Sequence, residues 1–312
     1  MNNNIKGLIL IFMGMLFIIT QDVLIKYTIN DVSLMQILVF RATIGCILLI
    51  FYLIFTKQPI VFSSAHSIVA LFRGSSFFFG FTLFFISLSQ ISLAEATTLF
   101  FVSPFFITIF SYFILKIQIG INRLFAVCVG FFGVILIIKP EFNNINVYML
   151  FPIIASCTYS LSMILAKKTS MNDSLFQQTF HIYIGALLGG ILISIIIHFL
   201  DFNLGFFSIL KNPWIFYDYQ MLSLLIFISI CGSLGILLLI SAYRVTSSPI
   251  LNSLFEYCHL ILAVLFSFII FDETLDAYST IGLFLIVISG IYVLFREHKR
   301  DELVVAKTSL RS

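Results

Sequence analysis

The chain has 312 residues, of which 61% are hydrophobic and only 10% carry a charged side chain. A water-soluble domain contains about 25% charged residues, so this composition excludes a soluble globular protein and indicates an integral membrane protein. The net charge is only +3 and the basic residues are scattered along the chain, which argues against a nucleic-acid-binding surface. We therefore expect the lipid bilayer, and no nucleic acid, as the main surroundings of this protein.

Ten apolar segments are long enough to cross a bilayer as helices, because a spanning helix needs about 20 mostly apolar residues. Turn-forming residues such as Asn30, Pro59 and Pro140 separate neighbouring segments. The sequence therefore predicts an all-α integral membrane protein with ten transmembrane helices. The predicted spans are 5–27, 33–55, 65–89, 93–115, 122–138, 146–166, 177–200, 220–243, 249–271 and 278–295.

The distribution of basic residues predicts that both termini face the cytoplasm. An even number of spans places the termini on one side, and with the N-terminus inside most of the 17 basic residues fall in cytoplasmic segments. Lys26, Lys139 and Lys211 fall on the outer side, and Arg41 and Arg73 lie within spans. Because inner loops carry the excess of Lys and Arg, we expect a multi-pass protein of the cell inner (cytoplasmic) membrane.

An internal repeat relates the first five spans to the last five. The Leu99-Phe100 pair in the fourth span aligns with Leu254-Phe255 in the ninth. Because five is an odd number, the second half would cross the membrane in the opposite sense, which is the usual architecture of secondary transporters. We therefore predict an inverted five-plus-five repeat. The predicted units are a first five-helix repeat at 1–140, a second at 141–296 and a cytoplasmic tail at 297–312.

Four short sequence patterns are spread over the two halves. They are Ala70-Leu71-Phe72-Arg73-Gly74 in the third span, Ala94-Glu95-Ala96 with Ser103-Pro104-Phe105-Phe106 in the fourth, Gly130 and Gly133 before Ile138-Lys139-Pro140 in the fifth, and Phe255-Glu256-Tyr257 followed by Phe271-Asp272-Glu273 around the ninth. In this order they resemble the EamA-type members of the drug/metabolite transporter superfamily, over roughly residues 5–296. The resemblance implies a ten-helix transporter of small metabolites. Gln118 departs from it, because such proteins usually carry Glu there.

Ionisable residues inside a membrane are costly, at about 2.5–3.5 kcal/mol for a helix centre, so each one indicates a function or a specific partner. At about 1.5 Å per residue, Arg41 and Arg73 lie about 12 Å inside their spans and Glu256 about 10 Å inside. We expect Asp22 to pair with Arg41, or alternatively with Lys26 one turn along its own helix. We expect Arg73 to pair with Glu256. The candidate substrate-binding residues are Glu256, Arg73, Arg41, Asp22, Asn252, His259, His181, Glu95 and Tyr257.

The ninth span carries a polar face, because Asn252, Glu256 and His259 recur at spacings of i, i+4 and i+7. A polar face on a membrane helix contacts a cavity or another helix rather than lipid, so we expect this face to line the site. Most of the 38 phenylalanines are expected to pack or to face lipid. The aromatic residues that share a turn with polar residues are candidates to stack on a flat or cationic ligand, namely Phe77, Phe101, Phe255 and Tyr257. Pro104 interrupts the fourth span and predicts a kink there.

Carboxylates and arginines at similar depths suit a zwitterionic solute, because an arginine binds a carboxylate and an acid binds an amine. We therefore predict a secondary transporter that moves a small-molecule substrate, an amino acid or an amino-acid-derived zwitterion, across the cytoplasmic membrane by alternating access. The resemblance extends in outline to a branch of the superfamily that takes up S-adenosylmethionine, which is the lead specific alternative. Glu256 is also the candidate carrier of a coupling proton.

Other classes of function have less support in the sequence. Residues 272–276 contain a DxxxD pattern that could hold Mg²⁺ in an integral membrane enzyme, but the pattern stands alone and no HExxH or GxSxG motif accompanies it. A receptor or a scaffold would not explain charges at mid-depth. The chain contains no GxxxxGK[ST] phosphate loop and no CxxC pair, so we expect no ATP hydrolysis, no cofactor and no metal site. Both a monomer and a homodimer are compatible with the sequence.

Overall fold

The structure is a computed structural model that describes residues 3–57, 61–62, 64, 66–116, 121–138, 146–169, 173–199, 205–216, 218–245, 249–289 and 291–292. The described residues are almost entirely helical and contain no strand. The helices are α1 (Asn3–Thr28), α2 (Leu34–Thr56), α3 (Ser67–Ser87), α4 (Leu93–Phe100), α5 (Ser103–Leu115), α6 (Ile121–Ile138), α7 (Leu150–Thr169), α8 (Leu175–Phe199), α9 (Tyr219–Val245), α10 (Pro249–Phe271) and α11 (Ala277–Ser289). Two short 3-10 helices, Val147–Met149 and Gly205–Lys211, precede α7 and α9.

Seven helical segments are long and apolar enough to cross a membrane: α1, α2, α3, the α4–α5 pair, α7, α8 and α9. Three further described segments are apolar but shorter, namely Cys128–Ile138, Cys258–Phe271 and Ala277–Ser289. The expectation of an all-helical, multi-pass membrane protein is confirmed. Because the shorter segments occupy the fifth, ninth and tenth predicted spans, the count of ten spanning helices stays a prediction.

The fourth predicted span is divided into two helices. Residues 101–102 form a turn between α4 and α5, in which the Phe101 N–H donates to the carbonyl oxygens of Thr97 and Thr98. Pro104 lies in the first turn of α5, where a missing N–H breaks no helical hydrogen bond. The expected kink at Pro104 is therefore a break between two helices, and it lies at residues 101–102, just before Pro104.

Helices from the two halves of the chain pack directly on each other. Helix α1 lies along α9 and α10, α2 lies against α8 and α9, α3 contacts α7 and α8, and α5 contacts α7. Gly14 of α1 faces Gly235 of α9, and a Cβ added at Gly14 would approach the Gly235 carbonyl oxygen to 3.1 Å. Glycine at these positions allows the two backbones to approach closely, as is common between membrane helices.

Large apolar side chains cover the outside of the bundle. Leu188, Leu192 and Phe199 of α8 and Phe268 and Ile269 of α10 are all more than half exposed in the isolated chain. An exposed apolar surface of this extent suits contact with lipid tails rather than water. The polar side chains described below lie inside the bundle instead.

We name each end of the bundle after an acidic residue that lies there. The Glu273 end contains the turn after α1 at Asn30, the turn after α3 at Ser89, and Glu273 itself after α10. The Asp173 end contains Lys57 after α2 and Asp173 before α8. In the predicted orientation the Glu273 end faces the outside, which stays a prediction.

Candidate functional site

A buried carboxylate of α1 contacts α10 inside the bundle. Asp22 is only 3% exposed, and its Oδ2 atom lies 3.3 Å from Nε2 of His259, which is 7% exposed. This contact is electrostatic, because its geometry is outside that of a hydrogen bond. The other carboxylate oxygen, Oδ1, accepts a 2.9 Å hydrogen bond from Nε2 of Gln21. We call Gln21, Asp22, Arg41 and His259 the central cluster.

Arg41 of α2 supplies the positive charge of the central cluster. Its side chain is 7% exposed and interacts electrostatically with Asp22 and with the ring of Tyr183. The guanidinium lies 5.8 Å from the centroid of the Phe81 ring, within the range of a cation–π contact. A cavity of about 20 Å³ adjoins Arg41, which is room for about one water molecule.

The contacts of Asp22 in the structure agree only in part with the expected pairings. Asp22 interacts with Arg41 over a longer distance than a contact ion pair, and its contact partner is His259. The alternative pairing with Lys26 is wrong, because Lys26 instead forms a 2.7 Å ion pair with Glu273. His259, the contact partner of Asp22, lies on α10, and Glu273, the partner of Lys26, lies in the segment after α10. A single sequence does not show that these elements lie beside α1.

Two residues of this region were not among the sequence candidates. Gln21 is 1% exposed, and its Oε1 atom has no hydrogen-bond partner among the described residues. Gly232 of α9 makes room for it, since a Cβ added at Gly232 would lie 1.7 Å from that Oε1 atom and 3.0 Å from Nε of Arg41. A buried amide beside a buried acid was the signal for Gln21; a glycine inside an apolar span gives no comparable signal.

Aromatic rings cover the central cluster on two sides. The Phe101 ring stacks on the imidazole of His259, with centroids 6.2 Å apart and planes 28° apart. The Phe81 ring lies under Arg41 and 6.3 Å from the ring of Tyr159 on α7. One turn before Phe101, the fully buried Thr97 has a hydroxyl oxygen without a hydrogen-bond partner in the described part of the chain. The site thus combines charges, rings and unsatisfied polar atoms, which is the composition of a ligand site.

Glu256 lies about one turn before His259 on α10 and is partly buried. Its carboxylate interacts electrostatically with the hydroxyl of Tyr159 and with Cys258. Since Phe81 contacts both Arg41 and Tyr159, the two rings connect Arg41 with the residue that Glu256 interacts with. The side chains of Asn252, the third member of the predicted polar face, and of the separate candidate Tyr257 lie outside the described residues.

Arg73 lies toward the Asp173 end rather than in the central cluster. Its guanidinium donates to the carbonyl oxygen of Gln178 and interacts electrostatically with Asp173. Asp173 in turn accepts a 2.8 Å hydrogen bond from Ser64. Arg73 of α3 thus interacts with α8 and with Asp173 before it, in place of the expected pair with Glu256. His181 is held nearby on α8, with Nδ1 2.6 Å from the carbonyl oxygen of Gln177 one turn earlier.

Glu95 has a local structural task at the Glu273 end. Its carboxylate accepts from the N–H of Ser92 at 3.2 Å and from the Ser92 hydroxyl at 2.9 Å. The Ser92 hydroxyl accepts from the Glu95 N–H at 3.0 Å, which completes a capping box at the start of α4. Glu95 also lines an open depression, described below, so the cap does not remove it from contact with solute.

The DxxxD segment is engaged in contacts within the protein. Glu273 pairs with Lys26, and Asp276 accepts from the N–H groups of Tyr278 and Ser279 at 3.3 Å, which caps α11. A carboxylate that caps a helix is oriented toward backbone donors rather than toward a shared metal ion. No group of three metal-ligating side chains occurs among the described residues.

Comparison with known proteins shows which transporters the chain resembles. Residues 5–139 match the EamA-like transporter family. The chain is similar to the S-adenosylmethionine uptake transporter of Rickettsia bellii (strain RML369-C), with 23% identity over 279 residues that cover 89% of this chain and 90% of the relative. The protein of the same name from Rickettsia prowazekii (strain Madrid E) is 22% identical over 89% of both chains. An uncharacterized transporter of Helicobacter pylori (strain 26695) is 28% identical over 67% of both.

A solved crystal structure has the same fold. It aligns with a TM-score of 0.64 over 95% of this chain and 98% of its own length, at 16% sequence identity. These comparisons confirm the expected EamA-type transporter over the first half of the chain and support a role in transport rather than in catalysis.

Proposed function

We propose that this EamA-like transporter carries an amino-acid-derived zwitterion across the membrane, with S-adenosylmethionine as the lead substrate. The observation that carries the proposal is the balance of charges around the aromatic rings. The guanidinium of Arg41, which interacts with Asp22, lies near the Phe81 ring, and the carboxylate of Glu256 interacts with the hydroxyl of the neighbouring Tyr159. The relatives named as S-adenosylmethionine transporters supply independent support.

This charge balance favours S-adenosylmethionine over an ordinary amino acid. The solute carries one carboxylate and two cations, an ammonium and a sulfonium, together with a flat adenine ring. Arg41 would bind its carboxylate, while Asp22 and Glu256 would each face one cation. The rings of Phe81, Phe101 and Tyr159 offer π faces to the sulfonium and to the base. An amino acid without a third charge would offer a cation to only one of the two carboxylates, and S-adenosylmethionine offers a cation to each.

We further propose that transport occurs by rocking of two inverted five-helix halves. If α1, α2, α3, α4–α5 and α6 correspond to α7, α8, α9, α10 and α11, every packing pair should have a counterpart. The contact of α1 with α9 corresponds to that of α7 with α3, and the contact of α2 with α9 corresponds to that of α8 with α3. The contact of α5 with α7 corresponds to that of α10 with α1. All six of these pairs are present. The packing thus supports a two-fold relation between the halves, with the central cluster at their interface.

Uptake measurements test the substrate. Cells or proteoliposomes containing the protein should accumulate radiolabelled S-adenosylmethionine above empty controls. Unlabelled S-adenosylhomocysteine, which lacks the sulfonium charge, and decarboxylated S-adenosylmethionine, which lacks the carboxylate, should compete at least about tenfold less well, the effect of losing about 1.4 kcal/mol. Uptake equal to the empty control would refute this substrate. Equal competition by L-methionine would favour the amino-acid alternative.

A matched pair of variants tests the site. Asp22→Asn should reduce uptake at least about tenfold, because a charge-assisted contact contributes about 1.5–3 kcal/mol. Asp31→Asn makes the same chemical change on an exposed residue in the turn after α1 and should leave uptake unchanged. Equal uptake by both variants would remove Asp22 from the site.

A further inference from the structure

An ion pair closes the Glu273 end directly above the central cluster. Nζ of Lys26 lies 2.7 Å from Oε1 of Glu273, and it also donates a 2.8 Å hydrogen bond to the Ile91 carbonyl oxygen. The ammonium group lies 5.2 Å from the centroid of the Phe271 ring. Lys26 follows Asp22 by one helical turn, so the two residues lie on the same face of α1. The ion pair therefore stands between the central cluster and the turns of this end.

Glu273 connects several elements through this contact. Its Oε2 atom accepts a 2.8 Å hydrogen bond from the Ser267 hydroxyl and a 3.4 Å one from the N–H of Leu93. Glu273 thus ties α1 and the start of α4, in the first half of the chain, to the end of α10 in the second half. Separation of the two halves at this end requires that these contacts break.

A polar depression gives solute access to the ion pair. It has a volume of about 440 Å³, and Lys26 and Glu273 both line it, together with Asn30, Gln90 and Glu95. The two partners are unequally buried, since the Lys26 side chain is 8% exposed and that of Glu273 is 30% exposed. Glu273 is therefore the partner that can move into water, while Lys26 stays anchored by Ile91 and Phe271.

From this arrangement we infer that Lys26 and Glu273 form a latch, and that the carboxylate of an arriving solute opens it by replacing Glu273 on Lys26. The inference rests on the proposed transport of a zwitterion. A simple break of the pair would leave a buried ammonium without a counter-charge, which is strongly unfavourable. Exchange of one carboxylate for another keeps Lys26 neutralised throughout and frees Glu273 from Leu93. The latch thus recognises a carboxylate before the solute reaches Asp22, one turn deeper.

Thiol labelling tests the latch without any need for transport. Thr97→Cys places a reporter at a fully buried position on α4, about 7 Å below Ser92 by the rise of the helix. A membrane-impermeant maleimide is applied to sealed vesicles of each orientation, and labelling of the chain without the reporter is subtracted for its native cysteines. Adding Glu273→Gln should raise the labelling rate at least tenfold from one side. This substitution keeps the shape of the side chain and its capacity to hydrogen-bond Ser267 and Leu93.

Matched variants decide the outcome. Asp31→Asn removes an exposed carboxylate from the turn after α1 at the same end of the bundle and should change the labelling rate less than twofold. Lys26→Gln should raise the rate as Glu273→Gln does, and the double variant should add nothing further, since both remove one interaction. An unchanged rate in Glu273→Gln, measured on protein whose thermal unfolding is normal, overturns the latch. Glu273→Ala repeats the measurement if the glutamine variant unfolds.

The exchange step has its own probe. With Thr97→Cys as the only change, S-adenosylmethionine should raise the labelling rate at least threefold, and decarboxylated S-adenosylmethionine should not. Equal effects of the two, or no effect of either in a preparation that takes up S-adenosylmethionine, overturn the exchange. Absence of uptake counts against the proposed substrate instead, and leaves the latch to be judged by the Glu273→Gln and Lys26→Gln rates.

Discussion

Substitution of Gly232 tests whether the geometry around Asp22 matters for transport. In Gly232→Ala the added Cβ would lie 1.7 Å from Oε1 of Gln21, whereas carbon and oxygen atoms in contact stay about 3.4 Å apart. The Gln21 amide is the free end of a flexible side chain, so it should move by roughly 1.5–2 Å rather than force the helices apart. This movement would break its 2.9 Å hydrogen bond to Oδ1 of Asp22.

The expected magnitude follows from two opposing effects. Loss of a hydrogen bond to a charged group costs about 1.5–3 kcal/mol, whereas alanine is more favourable than glycine inside a helix by about 1 kcal/mol. The free energy of unfolding should therefore fall by only about 0.5–2 kcal/mol. Helix propensity does not enter substrate binding, so the half-saturation concentration for uptake should rise at least about tenfold. The variant is thus expected to be folded but impaired.

Initial uptake rates over a range of solute concentrations, together with thermal unfolding in detergent, measure both quantities. Gly205→Ala is the matched control, because a Cβ at Gly205 would meet no atom within 4 Å. It should leave uptake and stability unchanged. A normal half-saturation concentration in Gly232→Ala would refute the argument that Gln21 orients Asp22, and equal impairment of both glycine variants would point to a general effect on folding.

The remaining predictions concern the charges and the orientation. Asp22→Asn should destabilise the protein by about 3 kcal/mol, and adding Arg41→Gln should recover part of this loss, since no lone charge then stays buried; strictly additive losses in thermal unfolding would contradict the interaction. Glu256→Gln should keep the protein folded and reduce net uptake at least about tenfold. The half-saturation concentration should rise if the carboxylate binds a cation, whereas substrate exchange should be preserved if the carboxylate carries a proton. Normal uptake with normal pH dependence would exclude both roles. Reporter fusions after Asn30 should indicate the outside and fusions after Asn172 the cytoplasm, and the reverse pattern would invert the orientation.

The helices were predictable from sequence because apolar length alone determines where a membrane chain is helical. Seven long segments and three shorter ones lie where the ten apolar runs lie. The break in the fourth span was also readable from Pro104, although the turn forms at residues 101–102 before it. Local rules of this kind act within one helix and need no knowledge of its neighbours.

The pairing of charges was not predictable, because it depends on which helices become neighbours. Asp22 and Arg41 were identified as buried charges, yet the contact partner of Asp22 is His259, on a helix far away in the chain. Arg73 was expected beside Glu256 but instead donates to the backbone of α8. Similar depth along two spans was not enough to predict a contact, because the rotation of each helix about its axis was not available from one sequence.

The sequence pattern around Glu95 was predictable as a helix cap, but Glu95 was considered only as a substrate-binding residue. Ser92 and Glu95 have the spacing of a capping box, S-x-x-E, which predicts reciprocal hydrogen bonds at a helix start. The structure has these bonds, so the cap accounts for an acidic residue near the membrane surface without any solute. Gln21 was missed because only ionisable residues were taken as candidates in its span, although an amide directly before a buried acid was a readable signal.

The contacts of α1 explain how opening could be made to depend on solute. Asp22 and Lys26, one turn apart, face His259 and Glu273 of the second half. If the halves separated without solute, both charges would lose these partners inside the membrane, at a cost of several kcal/mol for each. Under the proposed transport of a zwitterion, the solute would supply a carboxylate to Lys26 in place of Glu273 and then an ammonium to Asp22 in place of His259. In that proposal the empty protein stays closed at the Glu273 end, and the charges that select the solute also couple its binding to the movement.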